Sequence, residues 1–381
     1  MLTFVKLLVL LMSHILVTTG FTAGAARLRP GLIPSNRELM RAHSPYKPWF
    51  QLVSAAALCA LPPLPAGAQT PTDLTTPRTV VNQEAKDVET KLSLLQQEVY
   101  MAQQEITFLS LRQGEDRMTT HRVLFPSAKE LVPGYIFAPK PLDRTKKYPG
   151  LVVVHGAFHG HLDWRFFDLI EYAIGRGYVV MFPEYRGSSG YGDQTYKNNY
   201  GITDVADTLA SADYLVKSQP YVDGNRLGIY GHSRGGMVAL LGIERAPTKF
   251  KAAVDVAGLT DFLAFMAYKP DWRRMETASD PVFGGKLPSE NLAPYIDISP
   301  LNHVDEIQTP LFIAATTGDK TVPLNLHTGR LIDALKARNK VFESKIYDNA
   351  PGDHIFIFGD SDERKDLFER SFAFLGKYLK P

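Results

Sequence analysis

The sequence predicts an α/β domain, a mostly parallel central sheet with helices on both faces, preceded by an N-terminal helix. Three observations carry this expectation. From Met118 onward, short apolar runs alternate with segments of helical period, the pattern of strands joined by helical crossovers. Runs such as "GLVVV" and "LFIAA" are apolar at successive positions rather than at every second one, which suits strands buried on both faces. At 226–240 the chain reads "RLGIYGHSRGGMVAL", a buried-strand pattern that runs into a helix pattern across a glycine-flanked serine.

Composition limits what such a domain can do. With 381 residues, 45% of them hydrophobic and 22% charged, the chain can bury a large core. It carries 42 basic residues against 40 acidic ones, so it lacks the surplus that draws a protein to nucleic acid or anionic lipid. Nucleic acid is therefore set aside as a partner.

The elements follow in order. Residues 1–26 and 40–69 each combine a basic residue, an apolar run and small residues, the make-up of a secretory leader. The second ends at Ala66-Gly67-Ala68, directly before a Thr/Pro-rich stretch. The sequence thus favours 1–68 as a targeting region, Met40 as the start, cleavage after Ala68, and an exported protein, periplasmic or secreted. The rival reading is a membrane anchor in 1–19, but that run is barely long enough to span and is broken by Ser13 and His14. No stable membrane anchor is expected after processing. The one cysteine, Cys59, falls in the removed part, which leaves the mature chain without thiol chemistry.

Residues 69–81 read as a linker. From 82 to 113, Leu92, Leu95, Val99, Ala102, Ile106 and Leu109 recur at three- and four-residue spacing, which predicts an amphipathic helix. It is expected to pack on the main domain; pairing with a second copy, giving a homo-oligomer through this helix, is the alternative. The main domain is expected over 118–381. "HRVLFPS" and "LVPGYIFAPK" supply two early strands, "YPGLVVVHG" a buried one, and a helix near 164–175 follows. Then come strand "GYVVMFPEY", helix 203–218, strand "RLGIYG", helix 235–246, and strands "KAAVDVAG" and "PLFIAAT". Helix 324–338, strand "FESKIYD" and a closing helix at 361–379 complete the series.

Within that architecture "GHSRG" points to a nucleophile. A G-x-S-x-G turn between strand and helix strains the serine and lifts its hydroxyl above the sheet, with glycines on either side because larger neighbours would clash. Ser233 is the candidate, and the N–H of Arg234, at the start of the following helix, is a natural donor to a developing oxyanion. A serine hydroxyl needs a base to take its proton and an acid to orient that base. "FIAATTGDKTVP" places Asp319 just past a buried strand, and "YDNAPGDHIFIF" places His354 in the loop after the next one. Catalytic groups of open α/β sheets gather at these carboxyl ends. The chain order Ser233, Asp319, His354 is that of the α/β-hydrolase fold. Asp353 and Asp348 compete for the acid's place, and His232, His303 and His327 for the base's, with poorer placement in the chain. In "VVVHGAFHGH" the turn after an early central strand offers the second oxyanion donor, assigned to Ala157. The rival reading there is a metal site from His155, His159 and His161, for which Asp163 is the one nearby carboxylate; no metal is expected.

The pieces "HGAFHG", "PEYRGSSGYG", "DVADTLASADYLV", "VDGNRLGIYGHSRGG", "GDKTVP" and "GDH" together resemble the catalytic domain of the prolyl oligopeptidase family, over roughly residues 120–380. The resemblance implies the α/β-hydrolase fold and a Ser-Asp-His triad. It also implies that "YRGSSGYG" shapes the substrate side of the pocket. Peptidases of that family usually carry a large β-propeller before the hydrolase domain; the stretch before Met118 reads as leader, linker and one helix, so no propeller is expected, which weakens the peptidase reading. Arg234 stands where family peptidases often have an aromatic residue, so the wall near the acyl group is expected to differ. "GHSRGG" itself resembles stand-alone esterases of the same fold.

The expectation is therefore an exported serine hydrolase that cleaves carboxylic esters through an acyl-enzyme, with no cofactor. The alternative is a peptidase acting on short peptides, and a more remote one is a binding protein on a hydrolase fold. The pocket is expected to draw on His155, Phe158, Tyr185 and Tyr191. Residues 260–300 are expected to add a lid or pocket wall with Phe262, Phe265, Tyr268 and Trp272, and Arg273 or Arg274 facing a substrate carboxylate; equally, these aromatics would fill a small satellite core and the arginines would be solvated.

Overall fold

The computed structural model describes residues 77–196 and 200–381. The two leader-like segments, the favoured start at Met40, the cleavage point after Ala68 and the linker up to residue 76 lie outside the described residues.

Helix α1 spans Pro77–Gly114, so it begins inside the stretch expected to be linker. Proline suits a first helical turn, where its missing N–H has no intrahelical partner to lose. The chain divides at Ala102, part-way along α1, and the second unit is Gln103–Pro381. In the first unit Leu92 and Leu95 are exposed. In the second, Ile106 is buried and Leu109 exposed. Of the six residues in the apolar stripe, Ile106 alone reaches a core.

The second unit is built on one sheet. Its strands are β1 (Met118–Ser127), β2 (Glu130–Pro139), β3 (Tyr148–Val154), β4 (Val179–Pro183), β5 (Val222–His232), β6 (Ala252–Val256), β7 (Leu311–Thr316) and β8 (Phe342–Tyr347). They lie in the order β1-β2-β4-β3-β5-β6-β7-β8. Strands β3 to β8 pair in parallel, and β2 runs antiparallel to both β1 and β4. Every residue of β4, β6 and β7 is buried, which is why these strands are continuous apolar runs in the sequence.

Between the strands lie α2 (Phe167–Ile174), α3 (Asp193–Tyr196), α4 (Thr203–Ser218), α5 (Arg234–Arg245), α6 (Phe262–Tyr268), α7 (Asp271–Ala278), α8 (Ala293–Asp297) and α9 (Thr328–Ala337). Helix α10 (Asp362–Leu379) closes the chain. Helices α4 and α5 pack together over β3 and β5, while α10 packs on β5 and β6 and touches α2, which lies on β2 and β4. The stretch expected as a lid holds three short helices, α6 to α8, between β6 and β7. Because β3, β5, β7 and β8 are parallel, the segments that follow them emerge at one edge of the sheet. This brings together residues that are far apart in the chain.

Candidate active site

Ser233 sits between β5 and α5 with φ 61° and ψ −124°, a backbone region that a non-glycine residue occupies only when its surroundings hold it there. Those surroundings are fully packed. A Cβ at Gly231 would be driven into the Gly235 carbonyl, and one at Gly235 into the carbonyl of Val154. Ser233 N–H donates to the Val256 carbonyl at 2.9 Å, tying the turn to the neighbouring strand.

His354 reaches this serine from the turn after β8. Gly352 and Asp353 both take positive φ, 89° and 48°, and reverse the chain so that the imidazole faces β5. Its Nε2 lies 2.8 Å from Ser233 Oγ, and its Nδ1 lies 2.7 Å from Asp319 Oδ2. The other Asp319 oxygen, Oδ1, accepts the N–H groups of Thr321 and Val322, each at 2.8 Å. The carboxylate is buried and therefore fixed in orientation by two backbone donors and one imidazole. Of the competing acids, Asp348 accepts from Thr317 Oγ1 at 2.8 Å, and Asp353 lies against Gly318. His232 supports the base from behind: its Nε2–H donates to the His354 carbonyl at 2.8 Å. Burial pushes the His232 ring down to about 3, so it is neutral and keeps this hydrogen bond across the working pH range.

The turn after β3 lies against Ser233, since a Cβ on Gly156 would come 2.9 Å from the His232 carbonyl and 3.1 Å from Ser233 Cβ. Next to it, Ala157 is exposed with φ 63°. Arg234 does more than follow the serine. Its side chain is buried and pairs with Asp204 at 2.6 Å. It also donates to the Phe158 carbonyl at 2.5 Å and, more weakly, to the Ala157 carbonyl at 3.4 Å, and lies 4.4 Å over the Tyr200 ring. It is therefore not a wall of the acyl site but a clamp beneath the 156–158 turn. Asp204 is the first aspartate of "DVAD", and its role depends on a contact that no local pattern announces.

The three histidines weighed as metal ligands each engage the "GSS" segment instead. His155 Nε2 lies 2.8 Å from Ser188 Oγ, His159 Nδ1 2.7 Å from the Gly187 carbonyl, and His161 Nδ1 2.9 Å from Ser189 Oγ. They lace two loops together. Beneath them Glu184 is fully buried, with one oxygen accepting from Leu162 N–H at 2.7 Å. Burial pushes its carboxyl up to about 8 and the His155 ring down to about 3. Both are neutral near pH 7, so the 3.7 Å approach of Glu184 Oε2 to His155 Nε2 is not an ion pair.

Several residues expected in the pocket are placed elsewhere. His155 and Tyr185 are 1% and 0% exposed and stack on each other 4.1 Å apart; they lie under the loops, because a ring pair this desolvated has no face left for a substrate. Phe262 is likewise 1% exposed, packed on Phe283 and Tyr295. Tyr191 bonds Tyr135 through its hydroxyl at 3.3 Å and lies under Arg122. Phe265, also expected in the pocket, is 4% exposed and packs on Phe262, while Phe158 is half-buried, 5.9 Å from Phe265 and with Arg273 over its ring at 5.1 Å. Trp272 is exposed, with the Arg273 guanidinium 4.9 Å over its ring. Arg274 pairs instead with Asp271 at 3.2 Å.

A profile of the prolyl oligopeptidase family matches residues 164–381. The acylamino-acid-releasing enzyme of Arabidopsis thaliana is 29% identical in sequence, over 56% of this chain and 29% of the plant protein. Among solved structures, an acylaminoacyl peptidase of Pyrococcus horikoshii superposes with a TM-score of 0.61 at 22% identity, covering 71% of this chain and 43% of its own. A puromycin-hydrolyzing peptidase of Mycobacterium tuberculosis does so with a TM-score of 0.57 at 26% identity, covering 69% and 36%. The chain spans less than half the length of each of these proteins. The archaeal likeness speaks for the fold alone, whereas the profile runs over more than half of the sequence and takes in Ser233, Asp319 and His354. On that match the chain belongs to the prolyl oligopeptidase family, serine hydrolases of the α/β-hydrolase fold.

Proposed function

We propose that this chain is a serine peptidase that cleaves short peptides through an acyl-enzyme, with N-acylated peptides as the first substrates to try. The observation that carries the chemistry is the unbroken relay from Asp319 through His354 to Ser233, at 2.7 and 2.8 Å. The family match and the names of the relatives favour amide substrates over the esters that the sequence alone suggested. Nothing in the relay selects an ester, since the same groups serve both bonds.

The steps follow from the geometry. Asp319 accepts the Nδ1 proton of His354, which leaves the Nε2 lone pair facing the serine hydroxyl. As Ser233 Oγ attacks the carbonyl carbon, Nε2 takes its proton, and the imidazolium so formed is stabilised by the buried carboxylate. Negative charge develops on the carbonyl oxygen, where the N–H groups of Arg234 and Ala157 are the proposed donors. The imidazolium then returns the proton to the leaving amine, the C–N bond breaks, and an acyl-Ser233 ester remains. Water, deprotonated by the same Nε2, hydrolyses that ester and restores the hydroxyl.

An assay of N-acetylated short peptides and aminoacyl nitroanilides beside 4-nitrophenyl butyrate tests the reading. Amide turnover is expected together with the easier ester turnover. Hydrolysis of the ester with no cleavage of any amide in the panel would return the protein to the esterase reading.

The clamp is a second test. The Arg234–Asp204 pair holds the turn that carries the Ala157 amide, so removing it should loosen one of two oxyanion donors. The double variant Asp204→Asn, Arg234→Met leaves no lone buried charge behind. It is expected to lower kcat by about 10²-fold, the scale of losing one such donor, with KM changed far less. A kcat within twofold of wild type would show that the pair only supports the fold.

A further inference from the structure

Lys269 is an unspent cation. It follows α6, and among the described residues no carboxylate lies within ion-pair distance of its Nζ. The one hydrogen bond its ammonium makes is to the Thr321 carbonyl at 3.0 Å, which leaves two of its three donors unused. The ammonium is half-buried, 4.8 Å from the ring centroid of Phe265 and 4.7 Å from that of Tyr268. A partly desolvated charge with spare donors is costly unless something pairs with it.

Its position is as informative as its lack of a partner. Thr321 is the residue whose N–H binds Asp319 Oδ1, so Lys269 stands beside the acid of the relay. One turn further on, Arg273 lies over Phe158, whose carbonyl the Arg234 clamp holds and whose preceding residue is Ala157. Arg273 has a single carboxylate neighbour, Glu276 at 2.5 Å, bound through Nη1. Lys269 thus lies at the Asp319 loop and Arg273 against the Phe158 turn, with the Phe158 and Phe265 rings 5.9 Å apart beside them.

We propose that Lys269, assisted by Arg273, forms a subsite for a substrate carboxylate held beside the scissile bond. This rests on the peptidase reading and narrows it to peptides with an anionic group near the cleaved amide. That group is either an acidic acyl portion or a free α-carboxylate on the departing portion. The half-buried Phe158 ring, with a charged rim beside it, would bind the substrate's neighbouring side chain and its carboxylate at the same time.

The pH dependence has a definite sign. Burial, followed by the charge of Arg273, pushes Lys269 down to about 8, against the pull of Asp319. The other titratable neighbours are the Tyr268 hydroxyl and His327, whose ring burial holds down to about 4 and which is therefore neutral. The subsite is charged below about pH 8, and preference for a carboxylate is expected to fade as pH rises through that value. A bound carboxylate shifts the loss upward.

Calorimetry on the Ser233→Ala protein tests this without turnover, using three matched peptides. One is N-acetyl-Ala-Phe-Ala-amide, the second carries N-succinyl in place of N-acetyl, and the third ends in a free carboxylate. At pH 7 one of the two anionic peptides is expected to bind about tenfold tighter than the neutral one, the scale of a hydrogen bond to a charged group. The peptide that gains identifies the side of the scissile bond. Adding Lys269→Met should erase that advantage and leave the neutral peptide's affinity unchanged, which also shows that the fold is intact. Arg273→Met should reduce the advantage, and raising the pH to 9.5 should diminish it. Equal binding of all three peptides, binding of none, or an advantage that survives Lys269→Met would overturn the subsite. A tenfold preference in a protein that cleaves no amide would instead sink the peptidase reading and leave the subsite standing.

Discussion

Replacing Ser233 with alanine is expected to lower kcat by roughly 10⁵- to 10⁶-fold, the scale seen when a triad nucleophile is removed, while the protein stays folded. Stability should hardly change, because alanine keeps the Cβ that already sits at φ 61°. No protein atom then stands where the hydroxyl was held 2.8 Å from His354 Nε2, so no covalent acyl intermediate forms. His354→Ala should cost about as much, and the double variant little more than either single one, because the two act as one unit. Steady-state kinetics, labelling by a fluorophosphonate probe and a thermal melt decide the matter together. Residual turnover above about one part in a thousand, in place of the loss a dead triad brings, with labelling retained by Ser233→Ala, would mean that another residue is the nucleophile.

The second large effect is expected at Asp319, where asparagine should lower kcat by about 10⁴-fold through the wrong imidazole tautomer. The geometry makes the direction unambiguous. Oδ1 accepts two backbone N–H groups, from Thr321 and Val322, at 2.8 Å each. An asparagine must keep its carbonyl oxygen toward those donors, so its NH₂ faces His354 Nδ1, where Asp319 Oδ2 now lies at 2.7 Å. Nδ1 then has to accept, the ring proton moves to Nε2, and the base meets the serine as a donor. NMR of the ring protons together with kcat checks this. A variant that retained the Nδ1–H signal, or lost less than tenfold in rate, would place the orienting function on another group.

Much of this site was legible before any coordinates. The strained turn at Ser233 could be read from its glycine neighbours, and for Gly231 the steric reason is local, since a Cβ there would strike the Gly235 carbonyl in the same turn; at Gly235 it is a tertiary contact with the Val154 carbonyl at the end of β3. Asp319 was findable because it follows the fully buried β7, and His354 because its loop comes after the next strand, β8, although that strand is mostly exposed or half-buried; parallel strands deliver their ends to one edge. The helix period of α1 was also readable, although it marked burial at Ile106 and not at Leu92 or Leu95. An amphipathic stripe says which residues share a face, not whether anything covers it.

The pocket residues were less accessible to that kind of reading. His155, Tyr185 and Phe262 carry the right chemistry in the right loops, yet they are buried, because aromatic residues beside a site serve equally well as its foundation. Arg234 was legible as a backbone donor and illegible as a clamp, since Asp204 lies thirty positions earlier in the chain and its carboxylate could have faced either way. Lys269 was hidden for the same reason, as an ordinary lysine after a short helix.

Taken alone, the sequence determined the layered α/β architecture, the nucleophilic turn, and the identity and chain order of the three relay residues. Periodicity, steric exclusion and strand ends are one-dimensional signals, which is why these features could be read. The tertiary structure alone decided which of the expected pocket side chains are buried, how the three histidines lace 155–161 to 187–189, and that Lys269 has no ion-pair partner among the described residues. Those outcomes depend on contacts between segments whose relative orientation is settled only when the sheet and its helices pack.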